Sequence, residues 1–299
     1  MIVGKPSDRD GVSASVIATT VGDWTTFFDF LAQKFLAVEQ NEWLARINSG
    51  DVVDEHGATI NANTPYRPNS KLFYYRFVPD EARIPFAETV LFQDELIVVA
   101  DKPHFLPVTP AGRYVQETLL VRLKRKLGID TLAPMHRIDR DTAGLVLFTV
   151  QPHTRDAYQK LFRERRVDKT YEAIAPWRAD LSLPMIYRSR LLESDAFMQM
   201  QAVDGDANAL TAIEFLEKRG YLGRYQLRPF TGQKHQLRAH MAALDMPIVN
   251  DRIYPVLQAD TGGNQDWNLP LKLLAKAITF ADPITGMARS FESRQTLNF

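Results

Sequence analysis

The stretch of this 299-residue chain best equipped for chemistry is His136-Arg137-Ile138-Asp139-Arg140-Asp141-Thr142-Ala143-Gly144. It sets a carboxylate, Asp139, between two arginines. It ends at a glycine followed by Leu145-Val146-Leu147-Phe148-Thr149-Val150, a run of apolar and β-branched residues that reads as a buried strand. An acid is thus held at the mouth of a core strand. Such a carboxylate is either part of a salt-bridged structural turn or a catalytic group, because paired and perturbed carboxylates occur in both settings. Spacing alone leaves both readings open.

A second chemical signal is local charge. Globally the chain balances 36 Lys and Arg against 36 Asp and Glu, so net charge argues for no partner. Between residues 218 and 240, however, six Lys or Arg occur with no Asp or Glu, and Tyr221, Tyr225 and Phe230 are interleaved among them. A phosphate backbone needs such a stripe, since each neutralised phosphate releases counterions. The competing reading is a basic surface facing an acidic neighbour within the protein.

Other chemistries are set aside. No cysteine is present, which removes disulfides, cysteine-ligated zinc, iron–sulfur clusters, thiol nucleophiles and the His/Cys/Cys zinc sites of base deaminases. His235 and His240 lie five apart, so on a helix they point well away from each other and are not a ligand pair. There is no Gly-x-Gly-x-x-Gly and no Walker-type loop, hence no sign of a dinucleotide or nucleoside triphosphate. The chain also lacks a run of 18 apolar residues, and its N-terminus lacks a signal peptide's apolar segment; a cytoplasmic protein without cofactor or metal is expected.

The elements that position these residues follow in order. Residues 1–22 show no clear period and are expected as an extended lead-in. From Trp24 the residues Phe27, Phe28, Leu31 and Phe35 share a helical face, with Asp23 as the expected cap. A second helix fits 41–49, with Leu44 and Ile47 inward and Gly50 as its stop, and strand-like pieces follow at 51–60 and 71–77. A proline-bearing linker is expected at 79–85. Beyond it come a hairpin around Gln93-Asp94-Glu95 and an amphipathic helix at 115–127, whose Arg122, Lys124, Arg125 and Lys126 form a solvated face. A helix at 154–166 follows the Asp139 loop and its strand. Strands are expected at 169–175, 187–193, 197–203, 209–216 and 224–229, then a helix at 234–244 and a closing strand at 275–280. The central strands are too closely spaced for helical crossovers, so an α+β domain on a largely antiparallel, mixed sheet is expected.

Taken together, several motifs resemble one family. His136-Arg137-Ile138-Asp139 with Thr142-x-Gly144-Leu145-Val146-Leu147, then Lys169-Thr170-Tyr171, then Gly232-x-x-His235-Gln236-Leu237-Arg238-x-His240, with Pro247-Ile248-Val249-x-Asp251, are similar to the RluA-type RNA pseudouridine synthases. Asp101-Lys102-Pro103 fits the same pattern, and the resemblance spans roughly residues 89–291. It implies isomerisation of a uridine within ribosomal or transfer RNA, in which the base is detached at N1 and rejoined through C5, with no cofactor. By similarity Asp139 is the essential carboxylate. It acts either by attack at the sugar C1′ or by removal of the C2′ proton. Arg238 is the arginine that pairs with it, Tyr171 the active-site tyrosine, and Leu237 a wall of the uracil pocket.

Further substrate-binding candidates are Arg137, His136, Thr142 and Lys102. Arg137 either replaces the flipped nucleotide or bridges to Asp141; His136 and His235 either take part in catalysis or, by the simpler reading, shape the loop and the helix start. Lys102 is a backbone-positioning residue or the end of a strand. Residues 23–84 resemble an S4-like RNA-binding module, although residues 1–87 carry 8 Lys and Arg against 11 Asp and Glu. The expected organisation is therefore lead-in 1–22, S4-like module 23–84 and catalytic domain 85–299, in a monomer. Departures from the family pattern are Ala143 in place of a frequent serine, Gln233 in place of arginine, and Asn250 and Pro255 where glycines are common. The alternatives are an RNA-binding protein with a degenerate site, or a carboxylate-dependent nucleosidase with Asp141 or Asp251 as its second acid.

Overall fold

A computed structural model describes residues 6–78, 80–194, 198–258 and 265–299. Residues 1–5 of the expected lead-in, Pro79 of the expected linker and Phe197 of an expected strand lie outside the described residues. The chain divides into two compact units. One comprises Met1–Glu81, Ala111–Gln116 and Val121–Asp130, the other Ala82–Pro110, Glu117–Leu120 and Thr131–Phe299.

The first unit contains β1 (Ser15–Ala18), α1 (Phe27–Lys34), α2 (Gln40–Asn48), β2 (Val52–Asp54) and β3 (Lys71–Tyr74), with the strands antiparallel in the order β1-β3-β2. The lead-in is thus a strand: Ser15 to Ala18 pair with Tyr74 to Lys71. Helix α1 is capped by Thr26, not Asp23. The Thr26 hydroxyl accepts the Asp29 N–H at 3.1 Å while the Asp29 carboxylate accepts the Thr26 N–H at 2.9 Å, a reciprocal pairing that Asp23 has no partner to make. On α2 the inward residues are Trp43 and Ile47; Leu44 is only half-buried, because the large indole takes the place between Phe35 and Tyr74, at ring separations of 5.4 Å from each.

Two pieces beyond residue 85 belong to this unit for visible reasons. The Glu81 carboxylate accepts the N–H groups of Val115 and Gln116, and Val12, Val115 and Val121 form a small buried cluster. The helix expected at 115–127 is α3 (Leu119–Leu127). Its Lys124 is not on a solvated face: it is 4% exposed and ion-paired with Asp8.

The second unit is built on an eleven-stranded sheet. Its strands are β4 (Thr89–Gln93), β5 (Ile97–Lys102), β6 (Ala133–Pro134), β7 (Ala143–Thr149), β8 (Asp168–Pro176), β9 (Met185–Glu193), β10 (Met200–Val203), β11 (Ala209–Arg219), β12 (Leu222–Pro229), β13 (Leu273–Ala281) and β14 (Ala288–Glu292). The order is β10-β9-β11-β12-β8-β13-β7-β5-β4, with β14 on β13 and β6 on β7. Every pairing is antiparallel except β13 with β7, so the expected α+β, largely antiparallel mixed sheet is what forms. Strand β14 was not expected from the sequence, and β13 begins earlier than residue 275.

Helices α4 (Arg155–Arg163) and α5 (Gln236–Ala243) pack on this sheet. Helix α4 buries Tyr158 and Leu161 against Leu145, Leu147, Ile278 and Phe280. Helix α5 buries Leu237 and Met241 against Leu227, Met246 and Ile248, with Tyr171 of β8 packed on the same cluster. Gly144 marks where the Asp139 loop enters β7. Its φ is +109°, and a Cβ there would lie 2.3 Å from the Ala275 carbonyl oxygen of the parallel neighbour, so only glycine lets the two backbones meet.

Candidate active site

Arg238 is the centre of the site. It is delivered by α5, which starts abruptly because His235 holds a left-handed φ of +53°. A buried polar network then fixes the helix to the sheet. Gln236 accepts from the Thr231 hydroxyl at 2.6 Å and donates to the Leu210 carbonyl and the Thr211 hydroxyl, while His240 bonds Thr211 through Nδ1 and Ser189 through Nε2. Burial pushes His240 down to about 4, so it serves as a neutral imidazole.

So anchored, the Arg238 guanidinium is 2% exposed and has two carboxylate partners. Its Nε and Nη2 donate to Asp251 at 2.8 and 2.7 Å, and its Nη1 donates to Asp139 Oδ2 at 3.1 Å. Burial works against its charge, but the bonds and field of Asp251, then of Asp139, outweigh burial and hold it above the ordinary arginine range. Asp251 is sealed from solvent and its Oδ1 also accepts the N–H groups of Ile253 and Tyr254.

Asp139 differs from Asp251. Its side chain is 29% exposed, and Oδ1 accepts no hydrogen bond among the described residues. One oxygen is oriented by arginine; the other is open. His235 Nε2 stands 3.9 Å from Asp139 Oδ2 and its Nδ1 is 3.3 Å from the Tyr254 hydroxyl; burial lowers its proton affinity, with Asp139 opposing. Tyr171 has its phenol pushed above the ordinary range by burial and by the Asp139 charge, which keeps it protonated and gives it a neutral apolar face. Leu237, 7% exposed, belongs to the cluster that Tyr171 packs against.

The remaining candidates separate. Arg137 is exposed and forms no bridge to Asp141, because Arg140 Nε occupies Asp141 Oδ1 at 2.9 Å. His136 Nε2 accepts the Leu147 N–H at 3.2 Å, its ring stacks on Phe162 at 4.5 Å, and burial pushes it down to about 3. Thr142 is 2% exposed and donates its N–H to the Asp139 carbonyl at 3.2 Å, closing the loop upon itself. Lys102 is wholly buried, with Nζ on the carbonyls of Pro103 at 3.0 Å and Arg140 at 2.9 Å, so it contacts backbone and not solvent.

The basic stripe is divided by strand alternation. Arg224 is tied to Glu172 and Glu217, Lys234 to Glu193, and Tyr225 is fully buried, while Lys218, Arg219, Tyr221, Arg228 and Phe230 are exposed. For Arg224 the acidic-neighbour reading holds. Of the family departures, Asn250 is explained: its φ of +63° is open to glycine and tolerated by asparagine, and its Nδ2 donates to the Pro270 carbonyl at 3.0 Å. Sequence reasoning missed His104 and Tyr254 and assigned Asp251 no supporting role. Asp251 was singled out by its place in the Pro247–Asp251 motif and as a candidate second acid, not as a partner of Arg238.

An open carboxylate oriented by a buried arginine, with a protonated tyrosine within its field, is thus carried on a mixed antiparallel sheet. Comparison with known proteins gives the class. The family described as RNA pseudouridylate synthase matches residues 96–243. The Haemophilus influenzae dual-specificity RNA pseudouridine synthase RluA is 31% identical over 213 residues, covering 69% of this chain and 92% of that protein. An RNA pseudouridine synthase of Synechocystis is 28% identical over 231 residues, covering 76% and 78%. Among solved structures, human RNA pseudouridylate synthase domain containing 4 matches with a TM-score of 0.52 at 25% identity, covering 70% of this chain and 88% of that one. The chain belongs to the RluA-type RNA pseudouridine synthase family, whose members are isomerases acting on RNA.

Proposed function

We propose that this enzyme converts a uridine in structured ribosomal or transfer RNA to pseudouridine, in the cytoplasm, as a monomer, with Asp139 as the essential carboxylate and no cofactor. The observation that carries this reading is the asymmetry of Asp139, whose Oδ2 is held by Arg238 while Oδ1 is unengaged. In the net reaction the N1–C1′ bond breaks, a C5–C1′ bond forms, the C5 proton leaves to water and N1 gains one, so no redox partner or group donor is needed. Asp139 Oδ1 starts it either by bonding to C1′ or by removing the C2′ proton. Arg238, kept charged, stabilises the carboxylate as base leaves and returns. Tyr171 stacks on the detached uracil and assists C5 deprotonation, and Leu237 forms the apolar wall. Arg137, exposed beside the loop, fills the gap in the RNA stack.

The nucleosidase alternative needs a second available carboxylate. Asp251 is sealed behind Arg238, and Asp141 is paired with Arg140. Neither is free to act. For the first unit, an S4-like role is supported by its helix, helix and antiparallel strands, whereas its acidic balance gives it no basic grip on RNA.

The test is release of tritium from cellular RNA labelled at uracil C5, comparing the wild type with Asp139→Asn. Release to water by the wild type alone supports the proposal. Free uracil in the products, or equal release by the variant, sinks it.

A further inference from the structure

The sheet face that carries Tyr171 holds a second polar side chain that the mechanism above does not use. Lys169 lies two residues earlier on β8, so both side chains leave the same face, roughly 7 Å apart. Lys169 is opposite Ile278, which belongs to the cluster under α4, and Tyr171 is opposite Leu227, which belongs to the cluster under α5. The lysine therefore stands on the α4 side of the tyrosine. It is half-buried, and its amine makes no hydrogen bond or ion pair among the described residues. Burial lowers its proton affinity, and the Arg165 charge lowers it further.

The neighbours of Lys169 are donors as well. His136 is close enough for the Lys169 charge to reinforce the effect of burial on its ring. Because His136 Nε2 accepts the Leu147 N–H, Nδ1 carries the proton of the neutral ring, and this N–H too has no acceptor among the described residues. The ring stacks on Phe162, whose carbonyl accepts the Arg165 N–H at 3.2 Å, so the three groups share one neighbourhood. Arg165 follows the C-cap of α4 with a φ of +57°, a place that glycine or asparagine usually fills. Arginines at a helix end suit its dipole without any ligand, but that reading does not explain one kept where the backbone is left-handed. Arg163 is paired with Asp156 and Arg166 with Glu164, whereas Arg165 is exposed and has no ion pair among the described residues.

We propose that Lys169, Arg165 and the Nδ1–H of His136 form a binding site for one backbone phosphate of the RNA, beside the target nucleotide. A half-buried cation without a partner is costly unless a ligand supplies the anion, and lysine and arginine are suited to phosphate oxygens. His136 lies three residues before Asp139 on the same loop, so the phosphate held here belongs to the modified nucleotide or to its neighbour. This inference rests on the chain acting on RNA through Asp139, and it adds the contact that sets where the backbone lies.

The test measures affinity of the full chain for unmodified ribosomal and transfer RNA in the Asp139→Asn background, which separates binding from turnover, with melting recorded for every variant. Lys169→Met is expected to weaken binding roughly 10- to 100-fold, the range for one lost charge-assisted hydrogen bond. It should also reduce the log–log salt slope by about 0.7 to 0.9. Its melting stays level or rises, because the amine has no protein partner to lose. Lys169→Arg, which keeps the charge, retains most of the affinity. Arg165→Gly also weakens binding while raising melting, since glycine suits the left-handed position. With Asp139 intact, Lys169→Met and Arg165→Gly raise KM for C5-tritiated RNA and keep kcat within about twofold. Unchanged affinity and salt slope in Lys169→Met, a fall in kcat at unchanged KM, or melting well below wild type overturns the site. Inorganic phosphate is the other source of the same chemistry: if it raises wild-type melting while RNA affinity is equal in wild type and Lys169→Met, the site belongs to the free ion and the RNA contact is overturned. If RNA binds through Lys169 but the wild type releases no tritium, the isomerase reading fails and the phosphate site stands.

Discussion

Both units bury charge, and they do it differently. In the first, ion pairs close on themselves: Lys124, 4% exposed, meets Asp8, and Arg67 meets Asp54, whose other oxygen is taken by the His56 and Ala58 N–H groups. In the second, the chain Asp251–Arg238–Asp139 begins in a carboxylate with every oxygen engaged and ends in one with an oxygen free. A buried charge by itself therefore marks nothing. A buried charge whose partner is left open marks a site, because the fold has met the cost of desolvation without consuming the reactive atom.

This contrast sets the predictions. The largest effect belongs to the open end: Asp139→Asn is expected to lower C5-tritium release on the order of a thousandfold or more while melting stays close to wild type. Next is the sealed end. Asp251→Ala leaves Arg238 buried with half its partners and is expected to cost about 3–5 kcal/mol in urea unfolding, together with most of the turnover. A fully active, equally stable Asp251→Ala would show that the two carboxylates are not linked.

In the first unit a comparable loss should come from packing alone. Trp43→Ala, removing a side chain 1% exposed, is expected to cost about 3–5 kcal/mol in that unit's unfolding transition, with turnover per folded molecule retained. Trp43→Phe should cost much less, since the indole Nε1 is buried without a hydrogen-bond partner in the structure. Arg137→Ala should reduce RNA affinity or turnover roughly tenfold and leave melting unchanged, as no ion pair is lost.

A pH effect separates the units as well: acid lability of the second unit. His104, His136 and His240 are held below their ordinary 6.5, at about 4, about 3 and about 4, so the unfolded chain binds more protons in that window. Their contribution is full above pH 6.5. It declines as pH falls toward 4 and 3, by up to about 1.4 kcal/mol per histidine per pH unit. Urea midpoints at pH 7 and pH 5 test this, and a His240→Gln variant should flatten the slope.

Much of this was legible in residue order. Strand alternation around Tyr171 and Leu227, the glycine at 144 and the motif order pointed to a mixed antiparallel sheet with Asp139 at a strand mouth, because side-chain period and backbone freedom are local properties. Residue order alone also separated Asp139, Tyr171 and Arg238 from the rest through resemblance. It misread Lys124 as solvated and did not separate the paired from the exposed residues of the 218–240 stripe, since composition does not say which face of a strand or helix meets an acid.

Tertiary structure decided the partners. Nothing in the spacing of residues 102, 104, 140, 238 and 251 says that two carboxylates share one guanidinium, or that a lysine and a histidine hold adjacent carbonyls. Those contacts span 13 to 99 residues of chain and exist only when the sheet brings β5, β7 and α5 together. The sequence by itself determined which groups could react, through their chemistry. The fold determined which oxygen is left free to do so, because hydrogen-bond satisfaction in a buried site is a property of neighbours in space.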